Sequence, residues 1–219
     1  MGIKKIRILV VDDQNVVRDG VVTMLSFQQD MEVVGEAQNG IQAIEVAKQT
    51  RPDVVLMDMM MPLQNGITTI PKIKEVLPNV CILVLTSFAE SDLVYQAIKV
   101  GALGYLLKDT TCHQLIQSIR DVSDGKASIQ PSIAMKVIQE FDESSGQGSV
   151  TEALTQREME TLRLIARGFS NQEIALFLYV HERTVAKYVS NILKKLQVSN
   201  RTQAALYAVR HGIAAVPVN

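Results

Sequence analysis

The first half of the chain repeats one hydrophobic pattern: a short run of strand length, then a stretch whose apolar residues recur every three or four positions. The runs are Ile6 to Val11, Met31 to Ala37, Val54 to Met57, Val80 to Leu85 and Leu103 to Leu107. Between them Ile41, Ile44 and Ala47, with Val46 beside them, and Leu93, Ala97 and Val100 fall at helical spacing. Val54 to Met57 is bracketed by Pro52 and Asp53 before it and by Pro62 and Gly66 after it, which reads as a strand buried on both faces. Few folds accept such an alternation. It predicts an α/β architecture with a doubly wound, five-stranded parallel sheet, whose ligand site lies outside the carboxyl ends of the strands at the topological switch point.

The residues at those ends are chemically selective. The first run leads into Asp12 and Asp13, the third into Asp58, the fourth into Thr86 and the fifth into Lys108. Any one of them alone is a strand-end polar residue facing solvent. As a set they place three carboxylates in one crevice, where mutual repulsion and desolvation call for a hard cation. Magnesium fits, because it takes oxygen ligands and keeps waters that a phosphate can replace. With charge neutralised in this way Asp58 becomes a nucleophile able to form an acyl phosphate. Lys108 supplies a second positive charge and Thr86 a hydroxyl donor.

VVDD at 10 to 13, DMMMP at 58 to 62, LTSF at 85 to 88 and GYLLKD at 104 to 109 resemble the receiver domain of two-component response regulators, over roughly the first 123 residues. The resemblance implies a flavodoxin-like fold with Asp58 as the phospho-acceptor. It implies Mg2+ held by Asp12, Asp13, Asp58 and the main-chain carbonyl of Met60, with Lys108 on a phosphoryl oxygen. Thr86 and Tyr105 become the switch pair, the hydroxyl moving toward the phosphoryl group and the ring turning inward in the active form. In the common pattern proline follows the lysine, whereas Asp109 follows it here. Met60 and Phe88 lie two residues beyond the acceptor and the switch threonine, where bulky apolar side chains flank the path of an attacking water. Slow hydrolysis of the phosphoryl group is expected.

Charge divides the chain. Residues 150 to 219 hold nine Lys and Arg against five Asp and Glu, while residues 1 to 123 hold eleven against fourteen. The basic excess lies where a polyanion would be met, although a balance of this size also suits a merely soluble domain. Thr155 to Glu158 reads as a capping box that opens a helix with Met159, Leu162 and Ala166 inward, and Gly168 closes it. Ser170 caps a second helix carrying Ile174, Ala175 and Leu178. After a turn at Tyr179 to Glu182, a third places Val185, Val189, Ile192 and Leu196 at helical period and Lys187, Ser190, Asn191 and Lys194 opposite. Two short amphipathic helices joined by a tight turn, the second basic outside, form a helix-turn-helix pattern.

The stretch from about 153 to 213 resembles the LuxR-type DNA-binding domain, strongly at Glu158, Gly168, Asn171, Glu173, Ile174, Ala175, Thr184, Val185, Leu193, Lys195 and Leu196. A receiver followed by this domain is the arrangement of the NarL/FixJ subfamily. The resemblance implies that Ala186, Lys187, Ser190 and Asn191 enter the major groove while Arg183, Thr184 and Lys194 steady the helix on phosphates. Relatives often carry a basic residue at the place of Ala186 and a histidine at that of Tyr188, so operator preference does not transfer. The helix from Arg201 to His211 is the one the family uses to pair two such domains.

The organisation expected is a receiver at 1–123, a linker at 124–152 with a helix at 131–141 and the polar tether DESSGQGS, and a DNA-binding domain at 153–219. By analogy the receiver covers the recognition helix until Asp58 is modified. A sensor histidine kinase, double-stranded promoter DNA and a second copy on activation are the partners implied, with RNA polymerase a further candidate. No apolar run approaches the roughly 18 residues of a membrane span. The basic, then apolar start ends in acid after a strand's length, so it is not a signal peptide. Two cysteines without metal-ligand spacing fit a reduced, cytoplasmic protein rather than a disulfide framework. An enzyme of the haloacid dehalogenase type requires a second aspartate two residues after the nucleophile, and Met60 stands there. A quorum-type ligand sensor calls for an apolar pocket, often with tryptophan, and this chain has none. A receiver acting unphosphorylated as an interaction module sits poorly with a full set of chemical residues. The expected role is therefore a transcription regulator, not an enzyme acting on an external substrate.

Overall fold

A computed structural model describes residues 5–129, 133 and 154–214. Strands β1 (Ile6–Val11), β2 (Met31–Ala37), β3 (Val54–Met57), β4 (Cys81–Thr86), β5 (Gly104–Leu107) and β6 (Ser128–Ile129) form one sheet in the order β2-β1-β3-β4-β5-β6. Every pairing is parallel. Parallel pairing requires crossovers, and helices α1 (Asn15–Ser26), α2 (Gly40–Thr50), α3 (Gly66–Val76), α4 (Ser91–Lys99) and α5 (Cys112–Ser123) supply them. Alternate residues of each strand feed opposite cores. Leu9, Val11, Val55, Met57, Ile82 and Val84 pack with Ala43, Ile70 and Ile98 of α2, α3 and α4. Ile8, Val10, Leu56 and Leu83 pack with Leu25 of α1 and Ile119 of α5.

The expected sheet of five strands gains a sixth. Two residues are too short to carry a periodic signal, and the pairing rests on a glycine: a Cβ at Gly104 would lie 2.7 Å from the Ser128 carbonyl oxygen. Only a residue without a side chain admits that approach. Ser128 is also held through its hydroxyl to the Ser118 hydroxyl of α5, at 2.8 Å.

The C-terminal unit comprises α6 (Gln156–Ala166), α7 (Asn171–Leu178), α8 (Glu182–Lys195) and α9 (Arg201–Arg210). Thr155 and Ser170 close reciprocal capping boxes with Glu158 and Glu173, which satisfies amide donors that the first turn leaves unpaired. Gly168 follows α6 in the left-handed region, φ 82°. Leu162, Ile165, Ile174, Val185, Ile192 and Ala204 form the core. Glu158, almost fully buried, accepts from Lys195 Nζ at 2.8 Å and so ties α6 to the last turn of α8. The expected linker helix and the DESSGQGS tether lie outside the described residues, apart from Ile133, which is buried in the receiver-side core. The two units meet through α9, whose Leu206 joins that same core.

Candidate functional site

At the carboxyl edge of β1 and β3, Asp12, Asp13 and Asp58 each offer an oxygen within 4.8 Å of the others. Asp12 and Asp58 are buried and Asp13 is exposed. Asp58 Oδ1 accepts from the amides of Met59 at 2.6 Å and Met60 at 3.4 Å, since the chain turns back at the strand's exit. Lys108 Nζ bridges the other oxygens, 2.7 Å from Asp58 Oδ2 and 2.8 Å from Asp12 Oδ2. Burial pushes the Asp12 carboxyl above its usual value, against the pull of Lys108 and the Gln14 amide. Burial works against the Lys108 charge, yet its hydrogen bonds to Asp12 and Asp58 outweigh this and hold its ammonium above the ordinary lysine value.

Thr86 stands next to this pair, because the Lys108 amide donates to the Thr86 carbonyl at 2.8 Å at the exits of β4 and β5. The Thr86 hydroxyl is fully buried and has no hydrogen-bond partner among the described residues. A buried hydroxyl without a partner is costly, and such exceptions concentrate where a ligand supplies the missing group. Tyr105 is also fully buried, and its hydroxyl donates to the Phe88 carbonyl at 2.8 Å. Its ring is therefore already turned inward. Burial raises its pKa. Met60 and Phe88 remain partly exposed.

Sequence reasoning passed over Arg18. It is buried on the first turns of α1, where Nη1 donates to the Asp12 carbonyl at 2.8 Å and Nε to Glu36 at 3.0 Å. It fixes the main chain from which Asp12 projects. An arginine at an otherwise inward helical position is the signal that could have found it.

On α8, Val185 and Ile192 face the domain core while Arg183, Ala186, Lys187, Ser190 and Lys194 are exposed and Thr184 and Asn191 are half-buried. These residues line one outward face at steps of three and four. The expectation that the receiver covers this face is not met. Among the described residues its contacts go instead to α9, where the Asn200 amide group and the Thr202 hydroxyl find receiver carbonyls, and to Glu173 of α7.

Comparison with known proteins bears directly on this geometry. The response regulator receiver domain matches residues 8–120, and the luxR family of bacterial regulatory proteins matches residues 152–208. The chain belongs to the NarL/FixJ response regulators. This response regulator is 41% identical over 208 residues to the response regulator protein VraR of Staphylococcus aureus, covering 95% of this chain and 98% of that one. It is 38% identical over 217 residues to the transcriptional regulatory protein LnrK of Bacillus subtilis, covering 95% and 99%. Among solved structures, ChrA of a heme-sensing two-component system superposes with a TM-score of 0.53 at 31% identity, over 97% of this chain and 100% of that one. The RcsB response regulator in its DNA complex gives 0.59 at 25% identity, over 94% and 98%. The response regulator is thus a phosphorylation-dependent transcription regulator of a two-component system. Its acidic cluster could bind a metal ion. Among the described residues no helix is long and apolar enough to cross a membrane.

Proposed function

We propose that Asp58 accepts a phosphoryl group from a sensor histidine kinase and that the modified protein binds promoter DNA as a dimer. The observation that carries this reading is the bridging of Asp12 and Asp58 by Lys108, with a buried Thr86 hydroxyl on the neighbouring strand that has no partner among the described residues. Asp12, Asp13, Asp58 and the Met60 carbonyl form an all-oxygen donor set suited to Mg2+, which when bound neutralises charge on the carboxylates and on the incoming phosphoryl oxygens. An Asp58 oxygen attacks phosphorus as the bond to the donor breaks, and the product is an acyl phosphate on the side chain. Lys108 exchanges its carboxylate contact for a phosphoryl oxygen, and the Thr86 hydroxyl donates to another. Hydrolysis of that acyl phosphate returns the resting state, and the receiver promotes only these two reactions, its own phosphoryl transfer and its dephosphorylation.

The receiver takes in residues 1–123 and, through β6, the start of the segment 124–152 that joins it to the DNA-binding domain at 153–219. Ala186, Lys187, Ser190 and Asn191 read the major groove, and Arg183, Thr184 and Lys194 take phosphates. Support for this assignment comes from the outward face of α8 and from the relative solved on DNA. RNA polymerase is a further partner on the promoter. Incubation with magnesium and a small-molecule phosphodonor, followed by intact mass, tests the reading. The wild type gains one phosphoryl group and Asp58→Asn gains none. An equal gain in both would remove Asp58 from the acceptor role.

A further inference from the structure

The helix that meets the receiver is the one expected to pair two DNA-binding domains. The Asn200 side chain spans the junction. Its Oδ1 accepts from the Gln203 amide at 3.0 Å and caps α9, while its Nδ2 donates to the Ile98 carbonyl in the last turn of α4 at 2.5 Å. Two residues further, the Thr202 hydroxyl donates to the Leu103 carbonyl, at the entrance to β5, at 3.3 Å. Leu206 then buries itself in the receiver-side core together with Ile98, Tyr105 and Ile133. A separate tie links Lys126, just before β6, to Glu173 of α7 at 2.8 Å. Glu173 also accepts from the Ser170 amide at 2.7 Å, so that carboxylate both caps a helix and anchors it to the receiver.

Among the described residues these contacts occupy α9 and leave the outward face of α8 open. We propose that the resting receiver restrains this protein by storing the pairing helix α9 on its α4–β5 edge, so that regulation acts on dimerisation and not on access to the DNA-contacting face. The route from the acceptor site is short. Ile98 and Leu103 bracket the connection between α4 and β5, Tyr105 lies two residues beyond Leu103, and Lys108 leaves the same strand. A displacement of Thr86 or Lys108 on phosphorylation moves the strand whose entrance holds Thr202. A second copy of this chain is the competing occupant of α9, because a helix cannot bury one face against the receiver and against another α9 at once.

The trigger rests on Asp58 as the acceptor, but the storage itself does not, and the experiment separates the two. Asn200→Asp keeps an oxygen to cap α9 and replaces the donor to Ile98 with a carboxylate that the carbonyl repels. Combined with Lys126→Ala it breaks two of the interdomain ties. The full-length double variant is made with and without Asp58→Asn, its fold is verified by circular dichroism, and its mass in solution is measured by sedimentation velocity without phosphodonor. The dimer dissociation constant is expected to fall at least about tenfold relative to the wild type in both backgrounds, the effect of losing two hydrogen-bonded contacts. Acetic anhydride, read by mass spectrometry, is expected to label Lys187 and Lys194 equally fast in the resting wild type and the variant. A folded variant that stays as monomeric as the wild type overturns the proposal, as does slower labelling of those lysines in the wild type. If Asn200→Asp fails to fold, Thr202→Val with Lys126→Ala serves the same purpose. Failure of Asp58 to accept phosphate, by contrast, changes neither readout.

Discussion

Replacement of Thr86 by valine should make the resting protein more stable and at the same time insensitive to its signal. The Thr86 side chain is fully buried at the end of β4, and its hydroxyl has no partner among the described residues. A buried hydroxyl left in that condition costs roughly 1–3 kcal/mol, and a valine of the same shape carries no such penalty. Both residues are β-branched and suit a strand, so the backbone has no reason to move. The lower end of the range, about 1 kcal/mol, is the expected gain, equivalent to a rise of about 3 °C in Tm for a chain of this size. The chain has no tryptophan, so urea unfolding is best followed by circular dichroism. A higher midpoint at unchanged slope is the predicted result. After treatment with magnesium and phosphodonor, the variant should still gain a phosphoryl group at Asp58 but should not dimerise. A lower midpoint at unchanged slope would refute the reasoning, because it would show that the hydroxyl stabilises the resting state.

Two further outcomes follow from the same geometry. Burial opposes the charge on Glu158, but Lys195 and the Thr155 contacts outweigh it and hold its carboxyl below the usual range. A carboxyl depressed on folding adds stability above its unfolded pKa of about 4.3 and loses it as pH falls through the folded value. Lys195→Ala should cost roughly 3 kcal/mol at pH 7 by stranding a buried carboxylate, with the loss shrinking as the pH approaches 4; a loss equal at both pH values in urea titrations would exclude the ion pair as its cause. Met60→Asn with Phe88→Ala opens the mouth of the acceptor site to water, so the phosphoryl half-life, followed by intact mass, should shorten several-fold, and unchanged decay would show that these side chains do not shield it.

The candidate site was legible as a cluster because each contributing residue follows or ends a strand, and strand ends are marked by a change from apolar to polar that needs no knowledge of distant contacts. Asp58 and Lys108 are far apart in the chain, yet the parallel sheet sets β3 and β5 on either side of β4 and brings their exits to one edge. The helix-turn-helix was legible for a similar reason, since Thr155 with Glu158 and Ser170 with Glu173 are local signals that satisfy local amides. What the sequence hid depends on contacts between segments. Arg18 serves Asp12 from another element, Lys195 neutralises Glu158 across 37 residues, and Arg201, half-buried and desolvated so that its pKa drops to about 10, donates to Asn171 and to the Phe169 carbonyl. Only Arg18 leaves a periodic trace, as a charged residue on the inward face of its helix with Val21 and Leu25; the partners of the others leave none. The docking of α9 is of the same kind, because a helix with two buried sides looks in sequence like a helix with one.

The two hydrogen bonds that join Asn200 and Thr202 to the receiver end on main-chain carbonyls. Every amino acid carries that acceptor. The side chains of α4 can therefore change over evolutionary time, as a surface that must tell one partner from another is pressed to do, without erasing the contact with α9. The restraint is encoded in the path of the backbone, and the specificity for partners is left free to diverge on top of it.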